Sequence, residues 1–180
     1  MPIKILKALF LSLSIIVLQI AAVPNLPSIF SNLNLFLVFL IFFCVVFNFG
    51  SGLAYGFFWA FVLDLYSPYP FGSYIAGTMV TLFVVYRIFA LFLTNKSYYS
   101  LLVLTLLATA VFCLCNLIFL DLNIFFTTKD FALIQSESLA FLFNTLWQAA
   151  LNLGLASVLF LFLHQFSRRF NAVFIDTIKN

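Results

Sequence analysis

Polar residues are so sparse in this chain that its elements are read from the places where they interrupt long apolar runs. Such runs occupy 5–23, 33–65, 71–93, 101–120 and 139–163. A helix rises 1.5 Å per residue, so about 20 apolar residues cross a hydrocarbon core of ~30 Å. The second run alone is too long. As one helix it would reach about 50 Å, more than tilting absorbs. It contains Asn48-Phe49-Gly50-Ser51-Gly52, where two glycines flank a serine behind an asparagine, and this is turn chemistry. Divided there, the pattern predicts six spans at 5–23, 33–49, 52–66, 71–93, 101–120 and 139–163. The expected fold is an all-α integral membrane protein, a single bundle forming one domain over 1–180. The longest polar connection is expected between Asp121 and Ser138.

Charge orients the spans. Lys4 and Lys7 precede the first, and Arg168, Arg169 and Lys179 follow the last. Basic residues favour the cytoplasmic side, so both termini are expected there, which requires an even number of spans. Lys96 then falls inside, and Asp121, Lys129, Asp130 and Glu137 fall outside.

Composition removes the soluble alternatives. The chain is 66% apolar and 7% charged over 180 residues, against roughly 45–50% and 25% in soluble domains. The surplus must face lipid, so the bilayer is an expected partner and nucleic acid is not. The beginning, with Lys4, Lys7, an apolar run and Ala21-Ala22, has the form of a secretory signal, but with further apolar helices behind it the segment reads as a first span. Cys44, Cys113 and Cys115 all lie inside apolar runs. That placement suits packing rather than a disulfide framework or a metal site.

Gly52, Gly56, Ala60 and Asp64 recur every four residues and share one ridge of a helix. Small residues there admit a second backbone at close range, either within the bundle or from a partner chain. Asp64 closes the ridge just before Ser67-Pro68-Tyr69-Pro70. The prolines end the helix, and Gly72 lets the chain re-enter. A carboxylate in that position can accept backbone N–H groups of the turn or meet a partner. Arg87 lies about 10 Å from the end of its span and is expected to snorkel to the cytoplasmic interface, the alternative being Asn or carbonyl partners inside the bundle. Asn144, Gln148 and Asn152 share a face of the last span. They are expected to face away from lipid, either bonding between helices or lining a polar pocket. His164, the only histidine, falls where that span meets the basic tail. Neither a nucleophile–base set nor a phosphate-cradling loop is legible, so an enzyme is not expected and neither a cofactor nor a metal is implied.

A glycine-rich helix, then Asp64-Leu65, a short turn, Pro70, a large apolar residue and Gly72 opening the next helix resembles the MreD family of bacterial rod shape-determining membrane proteins. The match covers Gly52, Gly56, Asp64, Leu65, Pro70 and Gly72, roughly a tenth of the chain. It departs at Ser67-Pro68-Tyr69, where glycine is common in the family, and at Phe71, where leucine is usual. The resemblance implies a non-catalytic scaffold in the bacterial inner membrane. It would bind a bitopic MreC-like protein and, through it, an MreB-like cytoskeleton and the wall synthases. The alternative is a substrate-binding membrane subunit of an energy-coupling-factor type vitamin or metal transporter, with Asn144, Gln148 and Asn152 as its polar pocket.

Overall fold

The computed structural model describes residues 12–27, 29–46, 49–67, 70–92, 97–127 and 131–166. Lys4, Lys7, Lys96, Lys129, Asp130, Arg168, Arg169 and Lys179 lie outside the described residues, and with them the termini and most of the charge pattern. Pro68, Tyr69 and the side chain of His164 also lie outside them.

Every element among the described residues is helical. Helix α1 covers Ser12–Asn25, widening to a π-helical turn at Leu18–Ala22 and tightening to a 3-10 turn at Val23–Asn25. Then come α2 at Leu35–Val46, α3 at Phe49–Asp64, α4 at Ser73–Phe92, α5 at Tyr98–Thr127 and α6 at Phe131–Phe166. From α3 onward, side-chain pairings set each helix antiparallel to the one before. Phe43 meets Tyr55 between α2 and α3, and Phe49 meets Phe89 between α3 and α4. Tyr74 meets Phe112 between α4 and α5, and Tyr98 meets Phe160 between α5 and α6.

The centre of the bundle is α2. It touches α1, α3, α5 and α6, and Leu37, Ile41 and Val45 are fully enclosed. Its sequence, LFLVFLIFFCVV, is apolar on every side, as a helix surrounded by others must be. The outer helices turn their small and polar residues inward, among apolar ones, and bulky apolar residues outward. The buried face of α4 is Ser73, Gly77, Thr78, Thr81, Leu82 and Val85. Its outer face carries Val80, Phe83, Leu91 and Phe92. On α5, Ser100, Thr105, Ala108, Thr109 and Asn116 point inward, and Val103, Leu106, Leu114 and Ile118 point outward. Small and hydroxyl-bearing residues at helix contacts with bulky apolar residues outside is the arrangement that lipid requires. Helices α4, α5 and the 135–162 part of α6 are each long and apolar enough to cross a membrane.

Two boundaries differ from the sequence pattern. The division of the long apolar run is real, but α2 stops at Val46 and α3 has already begun at Phe49. Gly50 and Gly52 are therefore helical rather than in a turn. At Gly52 small size serves packing, since a Cβ there would strike the Cys44 thiol of α2. Secondly, the polar stretch between Asp121 and Ser138 is mostly helix, not a long connection: α5 runs on to Thr127 and α6 starts at Phe131. No glycine or proline falls between Tyr98 and Leu153 to stop either helix. Moreover, the Ser138 hydroxyl donates to Asp121 Oδ1 at 2.8 Å, tying the two helices where the pattern turned polar.

Gly56 tests the close approach. A Cβ there would lie 2.7 Å from Leu82 Cδ1 and 3.3 Å from Leu40 Cδ2. Gly56→Leu should cost about 1–3 kcal/mol through overpacking while leaving membrane insertion intact. Gly154→Leu is the control, because nothing lies within 4 Å of the Cβ position there. Unfolding in mixed micelles with increasing denaturing detergent should show an early transition for the first variant and an unshifted or later one for the second.

Candidate functional site

Asp64, Pro70 and Gly72 lie together at one end of the bundle, where α3 turns into α4, and Gly52 and Gly56 lie further back along α3. The turn closes stepwise. Tyr66 N–H donates to Leu63 O at 3.0 Å and Ser67 N–H to Asp64 O at 3.3 Å, so the last turn of α3 tightens. Ser73 N–H then donates to Pro70 O at 3.1 Å. Gly72 has φ of 95°, a left-handed conformation that a side chain would strain.

Asp64 is 3% exposed, and its carboxylate is fully engaged by this turn. Gly72 N–H donates to Oδ2, and Tyr74 N–H donates to Oδ1 at 3.0 Å. Both are orphan donors at the head of α4, where the helix dipole also favours a negative charge. The carboxylate of one helix thus caps the next across the turn. The ridge leading to it is internal as well. Gly52, Gly56 and Ala60 are buried, with Gly52 against Cys44 and Gly56 against Leu40 and Leu82. The ridge faces the chain's own α2 and α4, leaving no seat on that face for another chain.

A second group of polar residues, of which the pattern singled out only Asn152, crosses the bundle at nearly the same level. Asn34 caps α2, its Oδ1 accepting from Leu37 N–H at 3.0 Å. Its own N–H donates to Asn152 Oδ1 at 3.0 Å, and its Nδ2 donates to the Tyr74 hydroxyl at 3.3 Å. Asn152 Nδ2 donates onward to Thr109 Oγ1 at 3.0 Å. Thr109 and Thr105 pass their hydroxyl protons back to carbonyls one turn earlier on α5. Gln19 of α1 joins the start of α2 from the other side, donating to Leu33 O and accepting from Phe36 N–H. One buried chain of hydrogen bonds therefore runs from α4 through α2 and α6 to α5. The signal for Asn34 was available, since asparagine directly before an apolar run is a helix N-cap. Tyr74 and Thr109 carry no such signal.

The three amides of α6 separate. Asn152 is fully buried in this chain of bonds. Gln148 is half-buried and accepts from the Cys113 thiol at 3.2 Å. Asn144 is exposed, which corrects the expectation that all three turn away from lipid. Each four-residue step turns about 40° around a helix, so over the two steps from Asn152, Asn144 rotates off the face of α6 that meets α5, although that face continues to Phe141 and Ser138. The three do not line a common cavity. A recess of about 190 Å³ between α5 and α6 is walled chiefly by Cys113, Leu114, Leu117, Phe141 and Leu142 and is almost wholly apolar. Arg87 is exposed on α4, but its guanidinium lies over the Phe83 ring, 5.3 Å from the centroid, one turn back toward the start of α4 and away from the end to which snorkelling would carry it. Among the described residues no cluster of His, Cys, Asp and Glu is positioned to hold a metal ion.

No protein family model, no curated protein and no solved structure matches this chain.

Asp64→Asn keeps the shape but leaves one oxygen acceptor for two N–H groups and removes the charge facing the head of α4. It should cost about 1–3 kcal/mol. Asn152→Ala strands the Asn34 N–H and should cost a similar amount, about 1–3 kcal/mol. Asn144→Ala, on the outer face, should stay within ~0.5 kcal/mol. Detergent unfolding midpoints of the three purified variants check the order, and equal effects at Asn144 and Asn152 would remove the distinction.

Proposed function

We propose that this chain is a non-catalytic scaffold of the bacterial inner membrane, a six-span bundle with both termini in the cytoplasm. It serves wall elongation and rod shape by holding a bitopic MreC-like partner, and through it an MreB-like cytoskeleton and the wall synthases. The observation that carries this reading is the fate of the residues that resemble the MreD pattern. Gly52 and Gly56 seat α3 against α2 and α4, Asp64 caps the head of α4 from across the turn, and Gly72 supplies the left-handed residue of that turn. Residues used in this way set the shape of a surface instead of contacting a small ligand. The partner would therefore meet the outside of the bundle, and the corner would act by keeping that outside rigid.

The same geometry weighs against a substrate-binding transport subunit. Such a site needs converging polar groups with free hydrogen-bonding capacity. Here Asn152 is engaged on both its oxygen and its nitrogen, Asn144 points outward, and the α5–α6 recess is apolar.

Recovery of the chain with a tagged MreC-like protein, measured beside cell width and protein abundance, tests the proposal. Asn144→Ala and Gln148→Ala should leave recovery and width unchanged. Gly56→Leu and Asp64→Asn should lower recovery in step with their loss of stability. Abolished vitamin or metal uptake in one of the amide variants, with normal cell width, would overturn the scaffold reading in favour of transport.

A further inference from the structure

Helix α6 is the least enclosed of the long helices. Only 11% of its span is buried within the bundle, against 28% for α4 and 44% for α5. Its packed side carries Phe141, Gln148, Asn152 and Ala156. The opposite side presents Ala140, Asn144, Trp147, Leu151, Gly154 and Val158, all exposed except the half-buried Leu151. Their spacing alternates between four and three residues. That is an average of 3.5, the repeat that keeps two helices in contact as they wind left-handed about each other. The row is about 27 Å long, close to the depth of a hydrocarbon core.

Two members of the row have no use inside the chain. Asn144 lies six residues, about 9 Å, beyond the Ser138 that bonds Asp121, and among exposed apolar residues that run from Leu139 to Phe162. Among the described residues none bonds to its amide. Hydrocarbon offers no water in its place, so an amide left single there is costly. At Gly154 nothing lies within 4 Å of the Cβ position. Glycine weakens a helix relative to alanine, and here no neighbour within the chain needs the space.

Resting on the membrane reading of the fold but on no cellular role, we propose that this row seats a second copy of the chain, with α6 parallel to α6 across a two-fold axis along the membrane normal. Complementarity identifies the occupant. Copies inserted in the same direction present α6 in parallel, and a two-fold axis sets each residue of the row against its own counterpart. An amide is donor and acceptor at once. Asn144 therefore satisfies its counterpart, Nδ2 of one copy donating to Oδ1 of the other. A single asparagine in the seam of a helix pair also fixes register and strand number. Gly154 against Gly154 lets the two backbones close. Arg87, exposed on α4, would instead meet a like charge.

The test uses the purified chain in donor-labelled and acceptor-labelled pools, mixed and reconstituted in phosphatidylcholine vesicles. Energy transfer reads association, which should fall along a monomer–dimer curve as lipid dilutes the protein. Asn144→Leu and Gly154→Leu should each weaken association about tenfold, and Asn144→Gln should retain most of it. Leu146→Ala, exposed on α6 but off the row, should change nothing. Unfolding midpoints in dilute micelles should match wild type for all four variants, because none of these side chains packs within the chain. Wild-type transfer no greater than that of randomly placed chains would overturn the proposal. So would wild-type transfer retained by both Asn144→Leu and Gly154→Leu, since the copies would then meet on another face. Neither result bears on partner recovery in cells, so the scaffold reading stands or falls separately.

Discussion

Helices immersed in lipid gain nothing by hiding apolar surface from one another, because acyl chains solvate leucine and phenylalanine as well as a neighbouring helix does. What can hold them is close backbone approach and hydrogen bonds that the hydrocarbon cannot replace. The interior of this bundle follows that constraint. Cys44 of α2 lies against Gly52, and Leu40 of α2 together with Leu82 of α4 lies against Gly56. Gly77 of α4 admits the Asn116 amide of α5, whose Nδ2 would stand 3.3 Å from a Cβ there. The short α2 depends on it most. With only 12 residues it cannot bridge a bilayer by its own length. The Asn34 cap, bonded to both Asn152 and Tyr74, fixes where it starts.

The Asp64 corner answers a different need. A helix that ends at the membrane surface leaves unpaired carbonyls, and the next one begins with unpaired N–H groups. A serine at the head of α4 would reach a single N–H. A carboxylate arriving from α3 reaches two, and its charge opposes the positive end of the α4 dipole. The geometry works only if the chain reverses within a few residues. Pro70, whose carbonyl accepts from Ser73 N–H, and the left-handed Gly72 achieve this. Asp64 is thus buried without being a charge in hydrocarbon, because both of its oxygens are occupied.

How much of this the sequence displays depends on what each feature requires of it. Spans show because lipid demands long apolar runs, and the ridge shows because small residues at a spacing of four have few other uses. The extent of α5 and α6 did not show, since helix and apolar stretch were equated. A helix needs only the absence of breakers, and Asp121 or Ser138 interrupt hydropathy without interrupting the backbone. The glycine at 52 is ambiguous for a related reason: glycine serves turns through its φ freedom and helix contacts through its size, and only the position of Cys44 decides between them. The division of the α6 amides was invisible because it depends on where α5 and the start of α2 come to lie.

The two pairs of neighbouring helices are held by different means. Asp64 reaches the head of α4, so α3 ends where α4 begins. Phe49 packs against Tyr86 and Phe89, so α3 begins about one turn short of Phe92. These two contacts fix α3 along α4 at both of its ends. Helices α5 and α6 are instead tied to each other at intervals by Tyr98–Ser157, Cys113–Gln148 and Asp121–Ser138. One carboxylate and one ring cluster set the register of the first pair, so a change at either end frees that end. The second pair carries its bonds along the axis, and loss of one leaves two others to keep the register.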